Sequence, residues 1–387
     1  MRRTNIMSAV LGGVCVFGLA FVAAAQAEDR GPGAVYTMTN DPLGNAILAY
    51  QRDGSGALTS QGIFFTGGRG TGGKEPDFAL ANASPLTLSE DGQMLFAVNP
   101  GTDDVSVFSV SDRELTLVDR KPSGGHLPIS ITVSGNLVYV LNAGGNDGQS
   151  DNVAGFTVNH EGHLSLIPNS RRPLSADVTN PAEIRFNRSG TMLVVTERVA
   201  NNIDTFLVTH DGLLTGPMVH PAPVLNSAGA TNPFGFDFDS RGGLFVSDDF
   251  NDADGLGALS SFRITREGVL QPVSQNVQAG QSGACWVAVS RDSRYAYLVN
   301  AVSSAISVYS IDPATEAVRL LSSVPSPTNP TDVGLTLDGK FLYALNPDET
   351  GAAPGITAYR VDAKTGALTP LPGVTGLPNT VDGLAVR

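Results

Sequence analysis

Cysteine is almost absent from this 387-residue sequence, which contains only Cys15 and Cys285. Because Cys15 lies in an N-terminal segment that we predict to be removed, a single thiol remains and no disulfide can form within the mature chain. The roughly 360 residues that follow can bury a core large enough to fold without such a cross-link.

Basic residues are also scarce, with 24 Lys and Arg against 37 Asp and Glu. Without Arg2 and Arg3 the balance is 22 against 37, which is a net charge of −15. No basic cluster offsets this excess. The acidic surface therefore excludes nucleic acid and anionic membranes as partners.

Long apolar runs are missing after the N-terminus, where no segment reaches the roughly 18 residues of a membrane span. At the N-terminus, Arg2 and Arg3 precede an apolar run from Val10 to Ala25, and Ala25-Gln26-Ala27 has the small residues of a cleavage site. These features predict a signal peptide over residues 1–27. The mature chain is then exported to the periplasm or the medium, without membrane insertion.

The stretch Thr179–Phe206 shows the unit from which the rest of the chain is built. Pro181–Phe186 alternates apolar and polar residues, Met192–Val195 is a short apolar run, and Ile203–Val208 begins a third segment after a polar turn. Period-two runs separated by Gly, Asn and Asp predict short strands joined by tight turns.

This unit recurs seven times at a spacing of roughly 40–55 residues. First strands begin near Ser84, Pro128, Pro181, Pro233, Ala284, Pro330 and Val381. Second strands end at Asn40, Asn99, Asn142, Glu197, Asp248, Asn300 and Asn346. Third strands begin near Ala46, Val105, Val153, Ile203, Ala258, Ile306 and Ile356, and a fourth strand follows each of them. The pattern predicts an all-β fold, a seven-bladed β-propeller with four-stranded antiparallel blades.

The two ends of the mature chain predict how the ring closes. The N-terminal end begins with a second-type strand, Ala34–Thr39, and the C-terminal end supplies a lone first-type strand, Thr380–Arg387. Together they complete one blade, so that residues 28–387 form a single propeller domain.

The segment that begins at Asn180, with the pattern N-P-x-x-I-x-F-x-x-S-G-x-x-L-V-V-T-E-x-x-x-N-x-I-x-x-F, resembles the seven-bladed lactonase-fold family. That family includes propeller 6-phosphogluconolactonases and fungal carboxymuconate cyclases, and the resemblance covers Ala34–Arg387. Two features depart from it: the Pro-Arg-His at first-strand starts is missing, and the family's Val-Asn-Glu becomes Thr196-Glu197 in one blade.

Starts of first strands and ends of second strands meet at one rim of a propeller channel, so we expect a small-molecule ligand there. The catalytic candidates are Glu197 as general base, Arg198 as a stabiliser of the oxyanion, and His126, the histidine that enters a first strand. Candidate substrate-binding residues share the rim or the neighbouring first strands: Glu183, Arg185, Asp248, Asn142, Asn300, Asn346 and Asp332. The alternatives are structural: turn capping by the Asn residues, ion pairing of Arg198 with Glu197, and a satisfied histidine at position 126.

No cofactor is predicted, although a divalent cation at the channel rim stays open. The acidic loop Asp249–Gly255 lacks the first ligand and the later Glu of an EF-hand-like loop. Cys285 lies in a first strand that is expected to be packed, where a thiol is inert.

Three functions fit this sequence. The first is opening of a small lactone, or a related cyclic ester, by addition of water. The second is a non-catalytic propeller that binds a ligand or a partner protein through the same rim. The third is lactone-forming cyclisation of a muconate-type diacid, which requires more cationic side chains than the rim supplies.

Overall fold

The computed structural model describes Met1 and residues 33–73, 83–111, 114–144, 148–225, 229–327, 329–347 and 354–387. The predicted signal peptide lies, apart from Met1, outside these described residues. No helix in the described ranges is both long enough and apolar enough to cross a membrane.

Within the described residues, the strands form seven antiparallel sheets that correspond to the seven predicted blades, and one additional two-stranded hairpin. Blade 1 contains β1 (Gly33–Met38), β2 (Ala46–Arg52), β3 (Leu58–Phe65) and β31 (Asp382–Val386). Blade 2 contains β4 (Leu86–Leu88), β5 (Met94–Asn99), β6 (Asp104–Val110) and β7 (Leu115–Pro122). Blade 3 contains β8 (Pro128–Ser134), β9 (Leu137–Asn142), β10 (Asn152–Val158), β11 (Leu164–Leu166) and a short β12 (Arg172–Pro173) that also pairs with β10. Blade 4 contains β13 (Pro181–Phe186), β14 (Met192–Glu197), β15 (Asn202–Val208) and β16 (Leu214–Pro221).

A small hairpin, β17 (Val224–Leu225) and β18 (Gly229–Ala230), leads to the next blade. Blade 5 contains β19 (Pro233–Phe238), β20 (Leu244–Asp248), β21 (Gly257–Ile264) and β22 (Leu270–Gln281). Blade 6 contains β23 (Ala284–Val289), β24 (Tyr295–Asn300), β25 (Ala305–Ile311) and β26 (Val318–Pro325). Blade 7 contains β27 (Thr331–Leu335), β28 (Phe341–Asn346), β29 (Gly355–Val361) and β30 (Leu368–Thr375). The fold class predicted from the repeat is thus confirmed.

The ring closes through blade 1, as the sequence predicts. β31 pairs antiparallel with β1, with Tyr36 opposite Ala385 and Thr37 opposite Leu384. Backbone hydrogen bonds between Ala34 and Arg387 extend the pairing beyond the strands. The first and last strands of the propeller are therefore held together without a covalent link.

Apolar side chains fill the spaces between neighbouring blades. Between blades 6 and 7, for example, Tyr297 and Val299 belong to one buried cluster with Leu342 and Ala344. A four-stranded sheet cannot cover both of its faces alone, so each blade is stabilised by its two neighbours.

The chain enters six of the seven first strands through a residue with a positive φ. These residues are Ser84, Leu127, Asn180, Asn232, Gly283 and Asn329. Asn, Ser and Gly tolerate this left-handed conformation, but a bulky apolar residue does so only at a cost. Leu127, with a φ of 52°, is therefore a strained position among these entries.

Candidate functional site

The predicted site residues do not form one cluster in the structure. They lie in four places: at the ends of second strands, in the central channel, at the buried Arg198, and in an open cleft beside blade 3.

Side chains at the ends of several second strands form hydrogen bonds with the third strands. Asn300 Nδ2 donates to Ser307 Oγ at 2.9 Å, and Asn346 Oδ1 accepts from Thr357 Oγ1 at 2.6 Å. Asn142 Nδ2 donates to the side-chain oxygen Oδ1 of Asn152 on the third strand at 3.3 Å. These three side chains are at most 4% exposed, so their geometry fits structural capping rather than contact with a ligand.

Asp248 occupies the same position in blade 5, with a carboxylate in place of the amide. Its Oδ2 accepts from Ser260 Oγ at 2.5 Å, and the side chain is 1% exposed. Burial raises the pKa of Asp248 to about 8, because the charged form loses its hydration.

Glu197, the predicted base, is also enclosed. Its Oε1 accepts from the Ser175 amide at 2.9 Å, and its Oε2 accepts from the Ser175 hydroxyl and from Asn202 Nδ2. Asp204 lies beside it on β15, and burial together with the Glu197 carboxylate raises the pKa of Asp204. Both side chains are 0% exposed, so Glu197 cannot reach a substrate-bound water in this arrangement.

The central channel contains an ion-pair cluster centred on Arg185 of β13. Arg185 contacts Glu183 Oε1 at 2.5 Å and Asp237 Oδ1 at 3.3 Å, and it donates to Ser84 Oγ at 2.9 Å. These partners lie in β13, in β19 and just before β4, so the guanidinium joins residues of three blades. The Glu183 and Asp237 carboxylates raise the pKa of Arg185, although partial desolvation of the guanidinium acts in the opposite direction.

The carboxylates of this cluster also bond to the backbone of the next blade. Glu183 accepts from the Phe236 amide at 2.6 Å, and Asp332 accepts from the Leu384 amide at 2.7 Å. Burial raises the pKa of Glu183, and it raises that of Asp332 to about 7. Because first strands of neighbouring blades do not pair, such side chains satisfy backbone donors that would otherwise be buried unpaired. Glu183 and Asp332, which were predicted to bind substrate, therefore stabilise contacts between neighbouring first strands.

Arg198 lies over the ring of Phe234, at 4.7 Å from its centroid, and pairs with Asp249 at 3.6 Å. Only 9% of the Arg198 side chain is exposed. The Cys285 thiol contacts Asp249, and burial raises the pKa of Cys285 well above its usual value. The sequence allowed an Arg198–Glu197 ion pair as the structural alternative, whereas in the structure Arg198 pairs with Asp249 and lies over Phe234, both of blade 5.

His126 is the predicted catalytic residue that the structure places in an open cleft. Its Nδ1 is 2.6 Å from Asp103 Oδ2, and its side chain is 39% exposed. The cleft has a volume of about 540 Å³ and is lined by Pro122, Gly124, Gly125, His126, Gln149 and Arg171. An aspartate-bound histidine, an amide and a guanidinium thus surround one solvent-accessible space.

Asp103 also fixes the backbone next to this histidine. Its Oδ1 accepts from the amide of Leu127 at 2.8 Å, and Leu127 is the strained entry residue of β8. Strained backbone persists where the surroundings impose it, and it concentrates at functional sites. One carboxylate therefore orients the His126 ring and stabilises the strained turn that carries it.

Sequence reasoning missed both Asp103 and Arg171. Asp103 lies in the turn between a second and a third strand, at the same rim as the predicted site residues. Its position in the repeat could therefore have identified it as a candidate. Arg171 lies between β11 and β12, in a fourth-strand region with no recognisable pattern.

Among the described residues, no group of three or more His, Cys, Asp and Glu side chains is arranged to hold a metal ion. The acidic loop Asp249–Gly255 lies within the described ranges, and three consecutive residues in it, Phe250, Asn251 and Asp252, have positive φ. A divalent cation at the rim stays a prediction.

Comparisons with known proteins agree with this architecture. The family described as "Lactonase, 7-bladed beta-propeller" matches residues 43–173 and 259–382. A search of curated proteins finds no match. Among solved structures, a protein from Lactobacillus plantarum has a TM-score of 0.72 at 15% identity, covering 92% of this chain and 99% of its own. The periplasmic gluconolactonase of Pseudomonas aeruginosa has a TM-score of 0.71 at 15% identity, covering 92% and 98%. At such identities the solved structures establish the shared fold.

Proposed function

The chain belongs to the seven-bladed β-propeller lactonase family, and from this premise we propose that it is an exported hydrolase of small lactones. The supporting observation is the Asp103–His126 pair in the open cleft beside blade 3. Export rests on the signal peptide predicted for residues 1–27.

His126 is the general base of the proposed reaction. In this proposal Nε2 of His126 transfers the proton, and the Asp103 carboxylate at Nδ1 stabilises the imidazolium that forms. Nε2 removes a proton from water as the water oxygen bonds to the lactone carbonyl carbon. The ring C–O bond then breaks, and the same proton passes to the departing ring oxygen, which gives the open hydroxy acid.

Arg171 and Gln149 are the proposed stabilisers of the developing oxyanion. Both line the cleft with His126, and both donate hydrogen bonds to oxygen. Arg198, the sequence candidate for this role, is instead 9% exposed and engaged with Phe234 and Asp249.

An unphosphorylated sugar lactone is the proposed substrate class. An exported enzyme does not meet cytosolic sugar phosphates, and the described residues that line the cleft include one guanidinium, that of Arg171. The similar Pseudomonas protein is described as a periplasmic gluconolactonase, which is consistent with this class. Cyclisation of a muconate-type dianion is disfavoured, because among the described lining residues one guanidinium would have to hold two carboxylates.

Hydrolysis of a panel of aldonolactones, followed by base consumption at constant pH, tests the proposal. His126→Gln should lower kcat by about 10²–10⁴-fold, the usual contribution of a general base. His160→Gln is the matched control, because the His160 side chain is 89% exposed beside Glu161 and should leave turnover unchanged.

Glu197→Gln separates this mechanism from the one expected from the sequence. Because Glu197 is fully buried, we expect kcat close to that of the wild-type protein. If Glu197→Gln lost activity while His126→Gln kept it, Glu197 rather than His126 would be the general base. Binding of lactones without turnover by the wild-type protein would instead support the non-catalytic propeller.

A further inference from the structure

The side-chain contact between second and third strands includes a hydroxyl group in four of the blades. In blades 2, 5, 6 and 7, a Ser or Thr near the start of the third strand contacts the last residue of the second strand. The pairs are Ser106 with Asn99, Ser260 with Asp248, Ser307 with Asn300, and Thr357 with Asn346. Each of these pairs contains an O–H, so a hydrogen bond forms within it.

Blade 4 has a carboxyl group at both of these positions. Glu197 ends its second strand, and Asp204, near the start of its third strand, replaces the Ser or Thr. Two ionised carboxylates have no hydrogen to donate to each other, and both side chains are 0% exposed. Like charges held together away from water repel each other strongly. A positively charged partner removes this repulsion, and either a proton or a metal ion can fill that role.

The hydrogen bonds of Glu197 are satisfied, whereas those of Asp204 are not. Glu197 accepts from the Ser175 amide at 2.9 Å, from the Ser175 hydroxyl, and from Asn202 Nδ2 at 3.3 Å. The Ser175 amide also lies close enough to Asp204 to lower its pKa, but its hydrogen bond is with Glu197. Within the described residues, neither carboxyl oxygen of Asp204 accepts a hydrogen bond. A proton shared with Glu197 would satisfy one of these oxygens and leave the other buried and unpaired, which is costly.

The groups around this pair are oxygen ligands of the kind that hard cations prefer. Asp204 offers two oxygens and Glu197 offers a third, while the Ser175 hydroxyl lies beside them because it bonds to both Glu197 and Asn202. Two carboxylates balance the charge of one divalent ion, so the buried site would be neutral. Ca²⁺ accepts bidentate carboxylates and irregular geometry, whereas Mg²⁺ usually keeps several waters, for which an enclosed site has little room.

We propose that Glu197 and Asp204 bind one Ca²⁺ ion and that the Ser175 hydroxyl is a further ligand. This site is separate from the His126 cleft, so it does not depend on the proposed hydrolysis. Ser175 belongs to the connection between blades 3 and 4, and it is only partly buried. The ion therefore enters when this connection moves, and once bound it fastens the connection to the second and third strands of blade 4.

Calorimetric titration and thermal unfolding of the mature protein, after removal of metal ions with EDTA, test the proposal. The wild-type protein should bind one Ca²⁺ per chain with a dissociation constant on the order of 10⁻⁴ M, as exported calcium-binding modules do. CaCl₂ at about 10 mM should raise the melting temperature by about 4 °C relative to NaCl at the same ionic strength. MgCl₂ at the same concentration should raise it less.

Asp204→Asn removes one carboxylate and supplies an N–H that can donate to Glu197. This variant should therefore fold without the ion and show neither calcium binding nor a shift in melting temperature. Glu197→Gln should lose both signals in the same way. Asp248→Asn is the matched control, because it removes a buried carboxylate from the corresponding position of blade 5, where Ser260 already donates to it. It should keep the full calcium-dependent shift.

Circular dichroism checks that each variant is folded, and Glu197→Gln decides the question if Asp204→Asn unfolds. A wild-type protein whose melting temperature does not respond to Ca²⁺ would overturn the proposal and leave a shared proton as the partner of the pair. A folded Asp204→Asn variant that keeps the shift would also overturn it, because the ion would then bind elsewhere.

Discussion

At the scale of residues, the propeller repeats a side-chain contact between second and third strands. Asn300 with Ser307 in blade 6 is a neutral pair, whereas Asp248 with Ser260 in blade 5 has a carboxylate at the same position. Blade 4 has the acidic pair Glu197 and Asp204 there. Ionising a buried carboxylate costs free energy. Blades 4 and 5, which have a carboxylate at this position, therefore lose stability as the pH rises, whereas blades with Asn there do not.

The sign of this penalty follows from the pKa of Asp248, which burial raises to about 8, against about 3.9 for an unfolded aspartate. Its contribution to stability is fully present below about pH 4 and is lost as the pH rises towards 8. Asp248→Asn should therefore raise the free energy of unfolding by about 1–3 kcal/mol at pH 8 and much less at pH 4.5. Urea unfolding at the two pH values measures the difference.

Asn300→Asp is the reciprocal control, since it places a carboxylate at the matched position in blade 6. Its destabilisation should grow with pH, opposite to the effect of Asp248→Asn. A gain from Asp248→Asn that is equal at both pH values would contradict the assignment of the penalty to ionisation.

At the scale of elements, the first strands determine how closely the blades approach the axis. Their pairing with second strands is interrupted by a bulge near the start, for example between Pro181 and Glu183 and between Ala284 and Trp286. Side chains such as Glu183 then bridge to the next first strand. Backbone atoms of adjacent first strands consequently come close at Gly235, where a Cβ would lie 2.5 Å from the Cys285 carbonyl oxygen.

Gly235→Ala should destabilise the protein by about 1–3 kcal/mol, because the added methyl must displace backbone rather than a flexible side chain. Gly44→Ala is the matched control, since a Cβ at Gly44 meets no atom within 4 Å. Chemical denaturation of the two variants measures the difference. If Gly235→Ala and Gly44→Ala were equally stable, the neighbouring first strands could move apart at Gly235 without a loss of free energy.

At the scale of the whole molecule, stability depends on joining the two ends of the chain. β31 contributes Leu384 and Ala385 to the interior, and its pairing with β1 completes blade 1. An open ring would expose the faces of blades 1 and 7 together with an unpaired edge of β1.

A chain that ends at residue 379 should lose about 4 kcal/mol or more, the value of burying two or three apolar side chains. A synthetic peptide of residues 380–387 should restore much of this loss by occupying the vacant edge of β1. Thermal unfolding with and without the peptide measures the effect, and a scrambled peptide is the control. A truncated chain as stable as the full one would show that β31 does not close the ring.

The sequence by itself determined the strands, the number of blades and the closure by β31. These features depend on local patterns: alternation of apolar residues, turn residues at regular spacing, and incomplete units at the two ends.

Tertiary structure decided which side chains meet. Glu197 and Arg185 were both predicted site residues. In the structure Glu197 is buried beside Asp204, whereas Arg185 contacts residues of three blades. The bulges and the packing of neighbouring blades set these directions, and neither is encoded in the period of a single strand. The pairing of His126 with Asp103 likewise joins the turn between β5 and β6 to the entry of β8, so only the folded ring brings the two together.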